Sequence, residues 1–276
     1  MTIPFLELHD GSLIPQLGLG VWRVSDEVTE RVVSDALEAG YRHIDTAALY
    51  ANEEGVGRAV AASGLPREEL WITTKLWNSD HVAGRAREAL AESLEKLGLD
   101  RVDLYLIHWP RPDADRYVET WETLLELREE GLAGSVGVSN FTPAHLERLI
   151  DATGEAPVVD QVELHPAFAQ RELREYAAFN GIAVESWGPL GQGKYPLFEE
   201  PAVVAAAAAH GVSPAQAVLR WHLQSGLIVI PKTVSAERMR ENADVFGFAL
   251  TEAEMAAIDA IDRGQRLGGD PDTGTF

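Results

Sequence analysis

Short apolar segments alternate with longer amphipathic segments along almost the whole chain. The short segments are rich in β-branched residues and are bounded by turn-forming or polar residues, which is typical of buried β-strands. Eight such strands are predicted, over residues 16–22, 41–45, 70–76, 102–109, 135–140, 158–165, 182–188 and 227–232.

The segments between these strands have the periodicity of amphipathic helices. Residues 27–40, 81–98 and 117–131 carry apolar side chains at helical spacing, and each segment ends at a glycine, as many helices do. The pairs Thr-Pro at 142–143 and Ser-Pro at 213–214 each combine a helix N-cap residue with a proline in the first turn. Helices are therefore expected between most of the predicted strands.

The regular alternation of eight strands with helices predicts an α/β fold of the (β/α)8 TIM-barrel type, with residues 1–276 in a single domain. A β-hairpin over residues 5–16 is expected to precede the first barrel strand and to cover the barrel bottom. The C-terminal segment RLGGDPDTGTF is rich in glycine, proline and aspartate and is expected to form a mobile tail. An open doubly wound sheet is the main alternative, but no GxGxxG motif follows any predicted strand.

Composition narrows the classes of function. The 276 residues include no cysteine, which excludes disulfides and thiolate chemistry. The formal net charge of −21 argues against nucleic acid as a partner, because binding a phosphate backbone requires a basic surface. The sequence has no apolar run of about 18 residues and no secretory signal at its N-terminus, so we expect a cytoplasmic protein that does not associate with membranes.

Ionisable residues lie at the ends of consecutive predicted strands. Asp45, Lys75 and His108 lie at or near the ends of the second, third and fourth strands, and Tyr50 lies in the loop after Asp45. In a (β/α)8 barrel the C-terminal strand ends meet at one mouth, so these side chains are expected to converge. Each residue alone has an ordinary structural explanation, as a helix cap, a solvated strand end or a packed aromatic; the combination favours a function.

A phenol beside an ammonium group is suited to donating a proton to a carbonyl oxygen. An unperturbed tyrosine has a pKa of about 10 and is a weak acid at neutral pH. A nearby Lys75 ammonium would favour the phenolate and make Tyr50 a better proton donor, while Asp45 would keep the ammonium charged. His108 would orient the carbonyl by a hydrogen bond. The four residues predict protonation of a carbonyl oxygen while hydride reaches the carbon.

The segments that carry these residues, together with others, resemble the aldo-keto reductases. The resemblance extends from about residue 10 to residue 262. Within the family, the sequence is most similar to the short bacterial members of the 2,5-diketo-D-gluconate reductase type. It implies a monomeric barrel that uses NADPH to reduce aldehydes and ketones, including keto-sugar acids such as 2,5-diketo-D-gluconate, with Tyr50 as general acid. The segments are DGSLIPQLGLGVW, GYRHIDTAALYANEEGVG, ITTKLW, DLYLIHWP, GVSNF, QVELHP, SWGPLGQG and IPKTVSAERMREN.

The same resemblance assigns residues to NADPH. It places the nicotinamide carboxamide against Ser139, Asn140 and Gln161, and Trp187 against the nicotinamide ring. A local basic cluster in a strongly acidic chain favours NADPH over NADH, because a 2′-phosphate needs cations. The residues expected at the pyrophosphate are Gly188, Leu190, Gly191, Gln192 and Gly193, and those expected at the 2′-phosphate and adenine are Lys232, Thr233, Val234, Arg238, Glu241 and Asn242.

Aromatic residues near the strand ends are expected to form the walls of the substrate site: Trp22, Tyr50, Trp77, His108 and Trp109. The substrate is expected to be a small carbonyl compound. Apart from Arg266, the C-terminal tail has little basic character, which argues against a strong clamp for a substrate carboxylate.

Two other functions are compatible with the sequence. A Schiff-base aldolase would use Lys75 as its nucleophile, and a regulatory barrel would bind the cofactor without turnover. A metal site is not expected, because His43 and Asp45 share a strand but belong to no HxH or HExxH motif.

Overall fold

The computed structural model describes residues 3–82 and 84–273. The strands are β1 (Phe5–Glu7), β2 (Leu13–Pro15), β3 (Leu19–Gly20), β4 (His43–Asp45), β5 (Trp71–Leu76), β6 (Val102–Ile107), β7 (Ala133–Ser139), β8 (Val159–Glu163), β9 (Ala183–Trp187) and β10 (Ile228–Val229). The helices are α1 (Asp26–Glu38), α2 (Glu53–Ala62), α3 (Arg85–Leu97), α4 (Tyr117–Glu129), α5 (Pro143–Thr153), α6 (Arg171–Phe179), α7 (Pro201–His210), α8 (Pro214–Gln224), α9 (Ala236–Ala243) and α10 (Glu252–Asp259).

Strands β3 to β10 form one parallel sheet in sequential order. The sheet closes on itself, because Leu17 forms a parallel bridge with Val229. Gly18 N donates to Val229 O at 2.9 Å, and Val229 N donates to Gln16 O at 3.0 Å. The predicted (β/α)8 barrel is therefore confirmed.

The predicted N-terminal hairpin is also present. Strands β1 and β2 pair antiparallel, with Phe5 opposite Pro15. The Asp10 carboxylate in the turn accepts hydrogen bonds from the hydroxyl of Ser12 at 2.6 Å and from that of Ser135 at 2.7 Å. Since Ser135 lies in the N-terminal half of β7, the hairpin packs at the bottom of the barrel, away from the strand ends that carry the candidate site.

The core between barrel and helices is built from the apolar faces that the sequence pattern predicts. Trp121 of α4 and Trp221 of α8 are completely buried, and removing an aromatic side chain from such a position typically costs about 3–5 kcal/mol. Helices α2 and α3 approach closely because residue 57 is a glycine: a Cβ there would lie 2.3 Å from Leu97 O.

Several elements are shorter than the apolar pattern predicts. The first barrel strand is limited to Leu19–Gly20. The last ends at Val229, two residues before Pro231, which has no N–H to continue a strand. The helix predicted from residue 81 begins at Arg85, because Gly84 has a φ of 77° that is incompatible with a helix. Ala83 of that predicted helix lies outside the described residues.

The C-terminal tail lies against the barrel mouth as far as residue 273. Leu267 N and Gly268 N donate to the two carboxylate oxygens of Glu163, at 2.5 and 2.7 Å. Arg263 N and Gln265 N both donate to Ala167 O. The tail thus has defined anchors over this range, its expected mobility stays a prediction, and residues 274–276 of the predicted tail lie outside the described part.

Within residues 3–82 and 84–273, no single helix combines the length and the apolar composition of a membrane span; only α7 and α8 taken together do so, across a 94° bend.

Candidate active site

The four predicted catalytic residues meet at the mouth of the barrel. Asp45 is the last residue of β4, Lys75 is the penultimate residue of β5, and His108 directly follows β6. Tyr50 ends the short 3-10 turn Ala48–Tyr50 after β4. Since β4, β5 and β6 are adjacent parallel strands, their C-terminal ends bring these side chains together.

Lys75 and Asp45 form a buried ion pair. Lys75 Nζ donates to both Asp45 carboxylate oxygens at 2.7 Å and to Thr46 O at 2.9 Å. The side chain of Lys75 is 0% exposed and that of Asp45 is 2% exposed. Burial alone would lower the pKa of the Lys75 amine, but the charge of Asp45 raises this pKa above its ordinary value. The amine is therefore held as an ammonium.

Tyr50 lies beside this ion pair. Lys75 Nζ is 5.2 Å from the centre of the Tyr50 ring. Burial raises the pKa of the Tyr50 hydroxyl to about 12, and the Lys75 ammonium offsets only part of that effect. The expectation that Lys75 lowers the phenol pKa is thus correct for the contribution of Lys75, but burial is the larger effect. At neutral pH Tyr50 is a neutral phenol that carries the proton.

His108 packs against two aromatic residues of the site, Tyr50 and Trp77. Its ring meets the Tyr50 ring edge to face at 5.7 Å and the Trp77 ring at 5.2 Å between centroids. Burial, together with the charge of Lys75, holds the pKa of His108 well below its ordinary value, so the imidazole is neutral. Its Nδ1 is buried and makes no hydrogen bond to any residue of the described ranges.

The predicted substrate residues divide into two groups. His108 contacts both Tyr50 and Trp77. Trp109 is buried, and Trp22 is 38% exposed with the Arg23 guanidinium 4.2 Å above its ring. For all five residues a role in the substrate site stays a prediction.

The residues predicted to face the nicotinamide form a hydrogen-bonded group at the ends of β7, β8 and β9. Ser139 Oγ donates to Gln161 O at 2.7 Å. Asn140 Nδ2 donates to His108 O at 3.0 Å, and Asn140 Oδ1 accepts from Trp187 Nε1 at 2.8 Å. Asn140 has a left-handed backbone conformation, with a φ of 63°. The structure therefore places this group directly beside His108.

The predicted pyrophosphate segment is a tight turn. Gly191–Gly193 form a 3-10 turn that follows Leu190, and positive φ values occur at Gly188, Gly191, Gln192 and Gly193. The next residue, Lys194, donates from Nζ to Leu267 O at 2.7 Å, which ties this turn to the C-terminal tail.

The residues predicted at the 2′-phosphate and adenine lie just before α9 and within it. Lys232, Val234 and Arg238 are exposed, Thr233 and Asn242 are buried, and Glu241 is half-buried. Ser235 caps α9 by accepting from Arg238 N at 3.3 Å. Over residues 3–82 and 84–273, neither the Lys232 ammonium nor the Arg238 guanidinium has an acidic partner, although the chain carries a net charge of −21.

Two buried carboxyl groups near the site were missed in the sequence. Glu163 anchors the tail, and Glu185 of β9 is completely buried and accepts from Gln161 Nε2 at 2.9 Å. The available signal was an acidic residue inside an apolar run, Glu163 in VVDQVELH and Glu185 in IAVESWG, where a strand buried on both faces would ordinarily carry apolar side chains.

The chain is similar to known proteins over almost its full length. A profile of the Aldo/keto reductase family matches residues 15–263. Methylglyoxal reductase DkgA of Yersinia pestis is 55% identical over 269 residues, which cover 98% of this chain and 96% of that protein. The DkgA protein of Escherichia coli strain K12 is 53% identical over 267 residues, with 97% and 96% covered.

Solved structures of aldo/keto reductases also match the chain over almost its full length. An aldo/keto reductase from Brucella melitensis superposes with a TM-score of 0.91 at 50% identity, covering 95% of this chain and all of that one. A variant of Gox0644 in complex with NADPH superposes with a TM-score of 0.95 at 47% identity, covering both chains completely. Together with the family match, these findings show that the chain belongs to the aldo/keto reductase family, whose members are NADP-dependent oxidoreductases that act on carbonyl groups.

Proposed function

We propose that this protein reduces small 2-oxoaldehydes, with methylglyoxal as the representative substrate, and that Tyr50 is the proton donor. The observation that carries the proposal is the buried Lys75–Asp45 ion pair beside the Tyr50 phenol, which also contacts the neutral His108 ring.

The chain's own residues supply the proton and position the carbonyl. Tyr50 donates its hydroxyl proton to the carbonyl oxygen of the substrate. The phenolate that forms is stabilised by the Lys75 ammonium, which Asp45 holds in place by two hydrogen bonds. His108, as a neutral imidazole, donates a hydrogen bond to the same carbonyl oxygen. NADPH, when bound, supplies the hydride that adds to the carbonyl carbon.

The residues at the mouth fit NADPH. Ser139, Asn140 and Gln161 offer buried donors and acceptors next to His108, which suits a carboxamide. Lys232 and Arg238 are exposed cations with no acidic partner among residues 3–82 and 84–273 of a strongly acidic protein, which suits a phosphate dianion. These contacts would select NADPH over NADH.

A small uncharged substrate fits the tail better than an acidic one. The Arg263 guanidinium is paired with Glu200. The Arg266 guanidinium lies 4.7 Å above the Phe168 ring and donates to Gly269 O. Both cations of this segment are therefore engaged within the protein and are not poised to clamp a substrate carboxylate. Relatives named methylglyoxal reductase, at 52–55% identity, support the same choice.

The test is a substrate panel in which oxidation of NADPH is followed by absorbance. We expect a higher kcat/KM for methylglyoxal than for 2,5-diketo-D-gluconate, and a lower rate when NADH replaces NADPH. A higher kcat/KM for the keto-sugar acid would transfer the proposal to that substrate class. Tight NADPH binding without turnover of any carbonyl would indicate a regulatory barrel, and a borohydride-trapped adduct on Lys75 would indicate an aldolase.

A further inference from the structure

A second carboxyl group lies beneath the Lys75–Asp45 ion pair, inside the barrel. Glu185 belongs to β9 and is completely buried. The side-chain amide nitrogen of Gln161, in the neighbouring strand β8, donates to Asp45 Oδ2 at 2.8 Å and to Glu185 Oε2 at 2.9 Å. One amide group therefore bridges the carboxyl group of the ion pair and a carboxyl group to which the mechanism assigns no role.

We propose that Glu185 is a positioning residue for carbonyl reduction, which holds Gln161 in the orientation that the nicotinamide requires and sets the alkaline limit of activity. The proposal rests on the proposed function, because it concerns the same site. Glu185 does not touch the substrate; it acts through Gln161 and the Lys75–Asp45 pair.

The orientation of Gln161 follows from its two acceptors. A side-chain amide can present either NH2 or oxygen to a neighbour, and only NH2 can donate to carboxyl oxygens. With Asp45 on one side and Glu185 on the other, the NH2 group is directed into the barrel. The amide oxygen, which accepts no hydrogen bond from any residue within 3–82 or 84–273, is left for a donor such as the nicotinamide carboxamide.

The charges at the site indicate which carboxyl group keeps a proton. Two carboxyl groups share one ammonium, and both oxygens of Asp45 already lie 2.7 Å from Lys75 Nζ, so Asp45 is the carboxylate. Burial, followed by the charge of Asp45, raises the pKa of Glu185 to about 8. At neutral pH Glu185 is therefore mainly the uncharged acid.

The His43 ring lies beside the carboxyl group of Glu185. His43 Nδ1 lies 3.4 Å from Pro15 O, which requires the ring proton on Nδ1 and leaves Nε2 as an acceptor. Nε2 lies 3.3 Å from Thr73 Oγ1, within hydrogen-bond distance, and 3.5 Å from Glu185 Oε1, which forms no hydrogen bond to any residue within 3–82 or 84–273. Burial lowers the pKa of His43 to about 3, so the ring stays neutral across the working range of pH.

Ionisation of Glu185 changes the charge around the proton donor. A second carboxylate in the site raises the pKa of Lys75 and that of Tyr50, which makes the phenol a weaker acid. Tyr50 itself, with a pKa of about 12, keeps its proton through this range. Several polar groups face Glu185: His43 and Asp45 from β4, Tyr50 from the loop after β4, Lys75 from β5 and Gln161 from β8. The neighbouring strand β10 contributes only apolar residues, Ile228 and Val229.

The first part of the test measures NADPH affinity by quenching of tryptophan fluorescence. Glu185→Ala leaves Gln161 with a single carboxyl acceptor, so we expect NADPH to bind about tenfold more weakly with the KM for the carbonyl substrate unchanged. Glu185→Gln keeps an acceptor oxygen for Gln161 and should restore the affinity to within about threefold of the wild type. Wild-type affinity in Glu185→Ala would overturn the orienting role.

The second part measures kcat/KM from about pH 6 to about pH 10. The wild type should lose activity as the pH rises through about 8, the range in which Glu185 ionises. Glu185→Gln cannot ionise and should lack this decline. Glu53→Gln is the matched control, since Glu53 is also a buried carboxyl group but bonds to Thr74 outside the site; it should keep the wild-type pH profile. A decline near pH 8 that persists in Glu185→Gln would overturn the proposal.

One measurement depends on neither folding of the variants nor turnover. In the wild type, the infrared band of a protonated carboxylic acid should lose intensity between about pH 7 and about pH 9. Absence of such a titrating band would also overturn the proposal. If the wild type reduced no carbonyl compound, the proposed function would fail, while the NADPH affinities and the infrared band would still decide the role of Glu185.

Discussion

Lys75 and Lys232 lie near the C-terminal ends of barrel strands, yet their surroundings are opposite. The Lys75 ammonium is completely buried and bonded to Asp45 and Thr46. The Lys232 ammonium is exposed and has no acidic partner within the described ranges. A buried charge must be paired inside the protein, and it can then act on a neighbouring phenol without screening by water. An exposed, unpaired charge is free to meet an anionic ligand.

The largest expected effect is the loss of turnover when the Tyr50 phenol beside Lys75 is removed. In Tyr50→Phe the proton donor is lost while the ring that packs against His108 remains. We expect kcat to fall about 10³-fold, with NADPH affinity near that of the wild type, as measured by steady-state kinetics and fluorescence titration. Substantial turnover by this variant would mean that another group donates the proton.

Removing the buried lysine should affect both stability and rate. Lys75→Met leaves Asp45 as a buried carboxylate without its cation, which typically costs about 3–5 kcal/mol of unfolding free energy. Urea denaturation measures this loss. Lys75→Met/Asp45→Leu, which removes both charges, should recover most of the stability but none of the turnover. Equal stability of the single and double variants would contradict the view that the unpaired charge is the cause.

Removing the exposed cations Lys232 and Arg238 should leave the free energy of unfolding unchanged and weaken the binding of NADPH only. Lys232→Met/Arg238→Met is expected to weaken NADPH binding about tenfold and to leave NADH binding unaltered. Arg240→Met is the matched control, since Arg240 is exposed on the same helix and is not assigned to the cofactor. Equal losses for NADPH and NADH would show that the cations do not contact the 2′-phosphate.

The smallest effect concerns the anchor of the C-terminal tail. Glu163→Gln replaces one of the two acceptor oxygens that receive Leu267 N and Gly268 N. We expect amide hydrogen exchange at residues 267 and 268 to accelerate about tenfold, with little change in the barrel strands. Unchanged exchange at these two amides would indicate that other contacts hold the tail.

Much of the fold follows from the sequence because eight β-branched segments alternate with amphipathic ones. The strand limits do not follow from hydrophobicity. They depend on single residues such as Pro231, which lacks an N–H and follows the last barrel strand by two residues. An apolar pattern therefore locates a strand, and local backbone chemistry decides where it ends.

The candidate site could be predicted in part for a related reason. Asp45, Lys75 and His108 lie on adjacent strands, and the ends of adjacent strands converge. Glu185 meets Asp45 through Gln161 from a strand far away in sequence, across the interior of the closed barrel, and no periodicity encodes that contact. The raised pKa of Tyr50 escaped prediction as well, because its largest cause is burial, which the identity of the neighbouring residues does not show.

Closure of the sheet between Leu17 and Val229 has a consequence for biosynthesis. A ribosome must complete nearly the entire polypeptide before the first barrel strand can meet its final partner. Until then β3 presents an unpaired edge, and such edges invite association between nascent chains. Truncation before β10 would therefore be expected to yield an aggregating product, even though the residues that surround Tyr50 have all been synthesised by that point.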